Sequence, residues 1–160
     1  MLQLSTPVIS TFVLDEFDPT GEAKVSFRQA TTLETQQRDQ LVFGGQAKTY
    51  TADGLRIEQS IPWSVREEIE CRLTMCGTEA ILDADGKSLF RFKDGKLAMS
   101  PDQFHKAWGK LPPAVATILH EHCLDANPDW DYRINPTQTP TSGQEQSGEG
   151  SAAENGTEQS

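Results

Sequence analysis

The sequence has 160 residues and a formal net charge of −10, from 14 Lys and Arg against 24 Asp and Glu. This acidic excess disfavours nonspecific binding to nucleic acid, because that affinity comes mainly from Lys and Arg on phosphates, and it suits solubility or a basic protein partner. Three cysteines are an odd and low number, which argues against a secreted disulfide scaffold.

The first residues, MLQLSTPVISTFVLDEFD, lack the basic segment and the apolar run of a signal peptide. No window approaches the roughly 18 apolar residues of a membrane-spanning helix. We therefore expect a cytoplasmic protein without a membrane interaction, which would lie in the host cytoplasm if the protein is viral.

The C-terminal part differs in composition from the rest of the chain. From Pro136 onward there is no Val, Ile, Leu, Met, Phe, Trp or Tyr, and the charged residues are all Glu. Since such a segment has nothing to bury, 136–160 is predicted to be a disordered acidic tail. Residues 1–135 are predicted to form one α+β domain, with a strand-rich part at 11–99 and a helical pair at 100–130.

A hairpin is predicted at the start of the domain. Thr11 to Leu14 forms a short strand, Asp18 to Gly21 reads as a turn, and 23–29 alternates with Val25 and Phe27 on one face. A period of two is typical of a half-buried strand, so the two strands are expected to pair across the turn.

A first helix is predicted at 32–43. Thr31 and Glu34 have the spacing of a capping box, and Gly44-Gly45 stops the helix. The residues expected near one face are Leu33, Gln37, Leu41 and Val42. A second hairpin follows, with strands at 47–50 and 55–59 around Asp53-Gly54.

A second helix is predicted to begin near Pro62, with Ser60 or Ser64 as its cap, and to end at Gly77. Its apolar stripe, at intervals of four, four and three residues, consists of Val65, Ile69, Leu73 and Cys76. Carboxylate pairs such as Glu67 and Glu70 are interpreted as surface residues.

Residues 80–99 are predicted to be a three-stranded meander, with strands at 81–82, 88–92 and 96–99. Its two turns carry Asp85-Gly86 and Asp94-Gly95, which are strong hairpin signals. The fold class is therefore α+β, with small antiparallel hairpins and a meander packed against about four α-helices.

Two further helices complete the domain. Ser100-Pro101-Asp102 is a strong helix start, and Pro112-Pro113 breaks this helix and opens another that runs to Ala126, before Asn127-Pro128. The predicted apolar face of the first contains Phe104, Ala107, Trp108 and Leu111. That of the second contains Val115, Ile118, Leu119, His122 and Cys123.

The sequence shows no pattern that carries a known chemistry. His120 and His122 are two residues apart, whereas the helical zinc motif of metalloproteases needs two His four apart. The loop from Asp83 fails the calcium pattern at its fifth and sixth positions, Lys87 and Ser88. Neither a Gly-x-Ser-x-Gly elbow nor a phosphate-binding glycine loop occurs. We expect no enzymatic activity, no cofactor and no metal.

The segment FHKAWGKLPPAVA at 104–116, together with the NPDW corner at 127–130, resembles tail assembly chaperones and related tail-morphogenesis proteins of long-tailed bacteriophages. In that family an aromatic-rich helix leads into a Leu-Pro-Pro break, and a second helix ends at an Asn-Pro-aromatic corner. A small acidic body is also common there.

The resemblance implies a non-enzymatic late protein that binds a tape-measure or tail-tube protein during morphogenesis. The alternative is a minor structural component of the virion, such as a connector or tail accessory protein. A homo-oligomer is left open, and no nucleic-acid partner is expected. Each of Trp63, Trp108 and Trp130 is favoured as a core residue by about two to one over an interface residue. The residues expected to contact a protein partner are Phe104, Trp108, Leu111, Val115, Leu119 and Trp130.

Overall fold

The computed structural model describes residues 1–3, 6–44, 47–51, 54–58 and 61–134, and for 47–51 and 54–58 it describes the backbone alone. The predicted tail at 136–160 lies outside the described residues. The chain is an α+β protein, as expected. Within the described part of the chain, no helix is long and apolar enough to cross a membrane.

The strands and helices follow one another in a mixed order. The strands are β1 (Ile9–Val13), β2 (Lys24–Arg28), β3 (Ala47–Thr51), β4 (Gly54–Glu58), β5 (Met75–Glu79), β6 (Phe92–Lys93) and β7 (Lys96–Leu97). The helices are α1 (Thr32–Val42), α2 (Trp63–Thr74), α3 (Pro101–Trp108) and α4 (Pro113–Ala126), followed by a 3-10 turn at Pro128–Trp130.

The main sheet has three antiparallel strands in the order β1-β2-β5. The predicted first hairpin is confirmed, with Ile9 opposite Arg28 and Val13 opposite Lys24. Val25 and Phe27 are fully buried on the inner face, as their alternation predicted. This face packs against α2 and α4 and forms the centre of the hydrophobic core.

Helix α1 has the predicted capping box, in which the Thr31 side chain accepts from the Glu34 backbone and the Glu34 side chain accepts from the Thr31 backbone. Its predicted buried face is confirmed only at Val42. The second buried residue is Arg38, whereas Leu33, Gln37 and Leu41 are exposed. The reason lies in α2, which offers a carboxylate to this side of α1, as described below.

Helix α2 begins at Trp63 and ends at Thr74, so the predicted end at Gly77 is wrong. Gly77 lies inside β5 opposite Ser26, because the chain leaves the helix to supply the third strand of the sheet. The predicted serine caps also fail for α2: Pro62 is its cap residue, Ser64 lies within the helix, and Ser60 is outside the described residues.

The buried face of α2 is likewise not the predicted one. Val65 is exposed, and Ile69 and Leu73 are half-buried. The buried positions are instead mostly polar: Arg66, Glu67, Glu70, Cys71 and Thr74. The interpretation of Glu67 and Glu70 as surface residues is therefore wrong.

The second predicted hairpin is confirmed: strands β3 and β4 pair with Thr51 opposite Gly54, and residues 52–53 lie outside the described part. The predicted three-stranded meander is confirmed only in its turns, which form with Gly86 and Gly95 at positive φ. Only β6 and β7 pair as strands there, and Leu82 and Ser88 form a single isolated bridge. Leu89 and Phe90 are not in a strand, because both turn their side chains into the core.

The C-terminal helices match the prediction closely. Ser100 caps α3 in a capping box with Gln103, and α4 runs from Pro113 to Ala126. Buried Asn127 then ties α4 to the sheet. Its side-chain oxygen accepts from the Ala30 N–H at 2.7 Å, and its amide nitrogen donates to the carbonyls of Arg28 and Cys123 at 3.2 Å each.

Candidate functional site

An open apolar groove lies beside the bend between α3 and α4. Its volume is about 460 Å³. Three parts of the chain form it: the segment after β1, the loop after β5 and the bend itself. The apolar lining residues are Leu14, Phe17, Ala23, Ala80, Ile81, Leu82, Ala84, Leu89, Leu111, Pro112 and Val115.

The double proline at the bend places two side chains in this groove. The Leu111 N–H still donates to the Trp108 carbonyl, and the Val115 N–H donates to the Pro112 carbonyl, so the chain turns within a few residues. A proline lacks an N–H and fixes its own φ, which ends α3 and favours the start of α4. Leu111 and Val115 therefore face the same opening.

Two loops on the opposite side hold exposed apolar side chains over the groove. Phe17 is 43% exposed and Leu82 is 56% exposed. The first loop is fixed by the Asp18 carboxylate, which accepts from the backbone N–H groups of Thr20, Glu22 and Ala23. These are large apolar groups that the described chain leaves partly in water.

The second loop is fixed in the same manner. The Asp83 carboxylate accepts from the N–H groups of Asp85 and Lys87 at 2.8 and 3.0 Å. These bonds lower the pKa of Asp83, and the charges of Lys110 and Lys87 lower it further. The hydrogen bond from the Thr20 hydroxyl, followed by those from the backbone, lowers the pKa of Asp18. Both carboxylates are thus charged at neutral pH on the rim of the groove.

Of the six residues predicted to contact a partner, two line the groove and four lie in the core. Leu111 and Val115 are half-buried groove residues. Phe104 and Leu119 are fully buried, and Trp108 is nearly so. Phe104 and Trp108 stack with ring centroids 5.7 Å apart and support the bend from beneath. Trp130 is buried in the same core and also contacts Arg38, so the core interpretation is confirmed for Trp108 and Trp130.

A buried ionic network lies around Glu70 of α2. Its Oε2 accepts from Nε of Arg38 at 2.6 Å and from Nε of Arg66 at 3.2 Å. Its Oε1 lies 2.6 Å from Nε2 of His120 in α4. One fully buried carboxylate therefore connects three helices, α1, α2 and α4.

Aromatic rings enclose the two arginines of this network. The guanidinium of Arg38 lies 5.0 Å from the ring centre of Phe43 and 5.1 Å from that of Trp130. The guanidinium of Arg66 lies 5.1 Å from the ring centre of Trp63. Cation–π contacts of this kind partly replace the water that a buried guanidinium loses.

The network sets the pKa values of its two carboxyls in opposite directions. Burial raises the pKa of Glu70, but the hydrogen bond from His120 and the charges of Arg38 and Arg66 outweigh it, so that the pKa is lowered overall. Burial also raises the pKa of Glu67, and there the weaker attraction to His120, 3.8 Å away, does not reverse it. Glu70 is therefore ionised at neutral pH, and His120 Nε2 donates to it.

The network joins α1, α2 and α4 through the hydrogen bonds and ion pairs of Glu70, which is a structural role. The groove, and a second cavity beside α1 and α2 that Gln36 and Arg72 help to line, are formed by other residues. The sequence contained one sign of this cluster, the four-residue spacing of Arg66 and Glu70 on one helix, but that spacing is more often found on exposed faces.

The residues of the HEHC segment at 120–123 diverge, as expected for neighbours on a helix. His120 faces Glu70, His122 stacks on Phe12 with ring centroids 4.4 Å apart, and Cys123 lies 3.4 Å from the Thr74 hydroxyl. Among the described residues, no group of three or more His, Cys, Asp and Glu is arranged to hold a metal ion.

Comparison with protein-family models, with curated proteins and with solved structures gives no significant match.

Proposed function

We propose that the protein is a non-enzymatic assembly chaperone or adaptor that binds an apolar segment of a tape-measure or tail-tube protein in the groove at the α3–α4 bend. The observation that carries this proposal is the place of Leu111 and Val115. Both belong to the segment that resembles phage tail assembly chaperones, and both open into an apolar groove that other parts of the chain complete.

The shape of the groove supports a protein segment as its ligand. Its floor is formed by buried Leu14 and Leu89, and its walls by the exposed Phe17 and Leu82. An amphipathic helix binds such a groove through apolar side chains spaced three or four residues apart. The charged residues on the rim favour some of these segments over others.

Asp18 and Asp83 both lie on the rim, and the chain as a whole carries a formal charge of −10. A client segment with Lys or Arg beside its apolar anchors would gain attraction here, and an acidic segment would be repelled. Lys110, which also lines the groove, carries the opposite charge from Asp18 and Asp83 and offers one contact for an acidic group. The expected ligand is therefore an apolar helix with a basic flank.

Co-expression with a coiled-coil tape-measure protein tests the proposal. The wild-type chain is expected to raise the soluble fraction of the client, and Phe17→Glu with Leu82→Glu is expected to abolish the effect. Leu33→Glu is the matched control, since Leu33 is equally exposed but lies on α1 away from the groove. Loss of the effect in the control as well, or unchanged activity of the groove variant, would contradict the assignment of the groove.

Mass spectrometry of purified particles separates this function from that of a minor structural protein. A chaperone acts during assembly and is expected to be absent from the finished particle. Recovery of the protein in stoichiometric amounts from particles would instead support a structural component.

A further inference from the structure

Strand β1 ends the main sheet on one side, and its outer edge carries regularly spaced backbone groups. The Gln29 N–H donates to the Val8 carbonyl, and the Leu14 N–H donates to the Ala23 carbonyl, both at 2.8 Å. Along an antiparallel strand, residues whose backbone groups bond to the neighbouring strand alternate with residues whose backbone groups point away from it. The backbone N–H and C=O groups of the residues between them, Ile9, Thr11 and Val13, therefore point away from β2.

The side chains of the same three residues lie on the outer face of the sheet. Ile9 is 56% exposed and Val13 is 45% exposed, with Thr11 between them. The opposite face of β1 is occupied, since Phe12 stacks on His122 of α4. Beside this edge, with which no other described strand pairs, there is thus a narrow strip of two β-branched apolar side chains with a threonine at its centre.

Strand β1 lacks the features that commonly protect an edge strand. Its sequence, ISTFV, contains no charge and no proline, and its pairing with β2 has no bulge. Natural proteins usually place a lysine, a proline or a bulge on such an edge to prevent pairing with another chain. Five neutral residues at an open edge are notable in a chain with a net charge of −10.

We propose that β1 pairs antiparallel with β1 of a second copy of this chain, about a two-fold axis at Thr11, to give a continuous six-stranded sheet. In this register Thr11 faces Thr11 of the second copy, and Ile9 faces Val13 in both directions. The three outward residues then form three hydrogen-bonded pairs, and β-branched side chains meet on the outer face.

The sequence on either side of β1 fits a second copy in this register. An isologous interface must be complementary to itself. Asp15 and Glu16 follow the strand, and the register sets them opposite Pro7 and Thr6 of the second copy, so no acidic residue faces another across the axis. A client strand would need no such symmetry.

The oligomeric state in solution tests this proposal. Light scattering after size-exclusion chromatography of the full-length wild-type chain is expected to show a dimer. The double substitution Ile9→Lys and Val13→Lys is expected to weaken dimerisation at least tenfold, since it sets lysines along the edge. Leu33→Lys, an equally exposed site on α1, is the matched control and should leave the dimer unchanged.

Crosslinking tests the register without disturbing the apolar strip. Thr11→Cys places two sulfur atoms next to each other at the two-fold axis, and a short bismaleimide is expected to join them in most chains. The three natural cysteines are buried and should react slowly. Leu33→Cys should still form the dimer but give no crosslinked product, because α1 is not part of the proposed interface.

Three results would overturn the proposal. They are a monomeric wild-type chain at all concentrations, a dimer that survives both lysines, and a Thr11→Cys variant that crosslinks no better than the Leu33→Cys control. A monomer whose client binding is lost in the double-lysine variant would also overturn it, since β1 would then pair with the client. These results are independent of the groove, which lies on other residues of the chain.

Discussion

Nε2 of His120 in α4 lies 2.6 Å from Oε1 of Glu70 in α2, and neither side chain is more than 2% exposed. The same carboxylate binds Arg38 of α1 and Arg66 of its own helix. Glu70 thus joins three helices, α1, α2 and α4. Removing one member of a buried group of charges is costly, because the remaining charges stay buried without water and without that partner.

The first prediction concerns the charge of Glu70. Glu70→Gln removes the buried negative charge that Arg38, Arg66 and His120 contact, and it is expected to lower the free energy of unfolding by about 3–5 kcal/mol. Chemical denaturation followed by circular dichroism measures the loss. Glu68→Gln is the matched control on the same helix. Its partner is the largely exposed His105, so its cost should stay below about 1 kcal/mol. Equal costs for both variants would contradict the role of the network.

The second prediction concerns pH and the opposite shifts of Glu70 and Glu67. The pKa of Glu70 is lower in the folded chain than its ordinary value of 4.5. Its contribution to stability is therefore fully present above about pH 4.5 and is lost as the pH falls through the lower folded pKa. Wild-type stability should fall on acidification, and Glu70→Gln should show a flatter acid profile.

Glu67 should behave in the opposite manner. Its pKa is raised by burial, so its contribution is favourable below the ordinary value and is lost as the pH rises through the folded pKa. Glu67→Gln removes this cost and is expected to leave stability at pH 7 unchanged or higher, with no gain at low pH. Denaturation midpoints from pH 3 to 8 measure both variants. A large loss at pH 7 for Glu67→Gln would contradict the assignment.

The third prediction concerns Asn127, which joins α4 to the chain after β2. Asn127→Ala removes a buried side chain that accepts from the half-buried Ala30 N–H and donates to two carbonyls, and it is expected to cost about 2–4 kcal/mol. Asn127→Asp keeps the acceptor for the Ala30 N–H but loses both donors. If the repulsion between its carboxylate and the two carbonyls is small, its stability should lie between those of the wild type and the alanine variant. Thermal unfolding of the three proteins gives the order of their stabilities. An alanine variant as stable as the wild type would contradict the role of Asn127 in joining α4 to the chain after β2.

The fourth prediction separates the core of the bend from its surface. Trp108→Ala removes a buried ring stacked on Phe104 and is expected to cost about 3–5 kcal/mol. Leu82→Ser changes an exposed groove residue and should shift stability by no more than about 0.5 kcal/mol while it reduces client solubilisation. The two measurements are unfolding and co-expression, and a Leu82→Ser variant with full client binding would count against the groove.

Local signals in the sequence predicted the ends of several elements correctly. The capping box of Thr31 and Glu34 and the start of α3 at Ser100 were predicted correctly, and the alternation around Val25 and Phe27 placed the second strand. These features depend on residues a few positions apart, so their physics is present in the sequence itself. The α+β class followed from the same signals.

Hydrophobic periodicity failed where the buried groups are charged. On α1 and α2 the apolar residues Leu33 and Val65 face solvent, and Arg38 and Glu70 face inward. A prediction from apolar periodicity assumes that the apolar residues of a helix are the ones that become buried. That assumption fails when a residue from a distant part of the chain replaces the water that a buried charged side chain loses. His120 does this for Glu70, which is 50 residues away in the sequence.

The sequence by itself determined the acidic composition, the caps of α1 and α3, the turns and the two-helix unit around Pro112-Pro113, because each depends on neighbouring residues. The tertiary structure alone decided which faces are buried, that Met75–Glu79 leaves the helix to become a strand, and that Leu111 and Val115 share a groove with Phe17 and Leu82. The physical reason is the same in each case: burial is settled by contacts between residues far apart in the chain, and a charge becomes a core residue only when such a contact neutralises it.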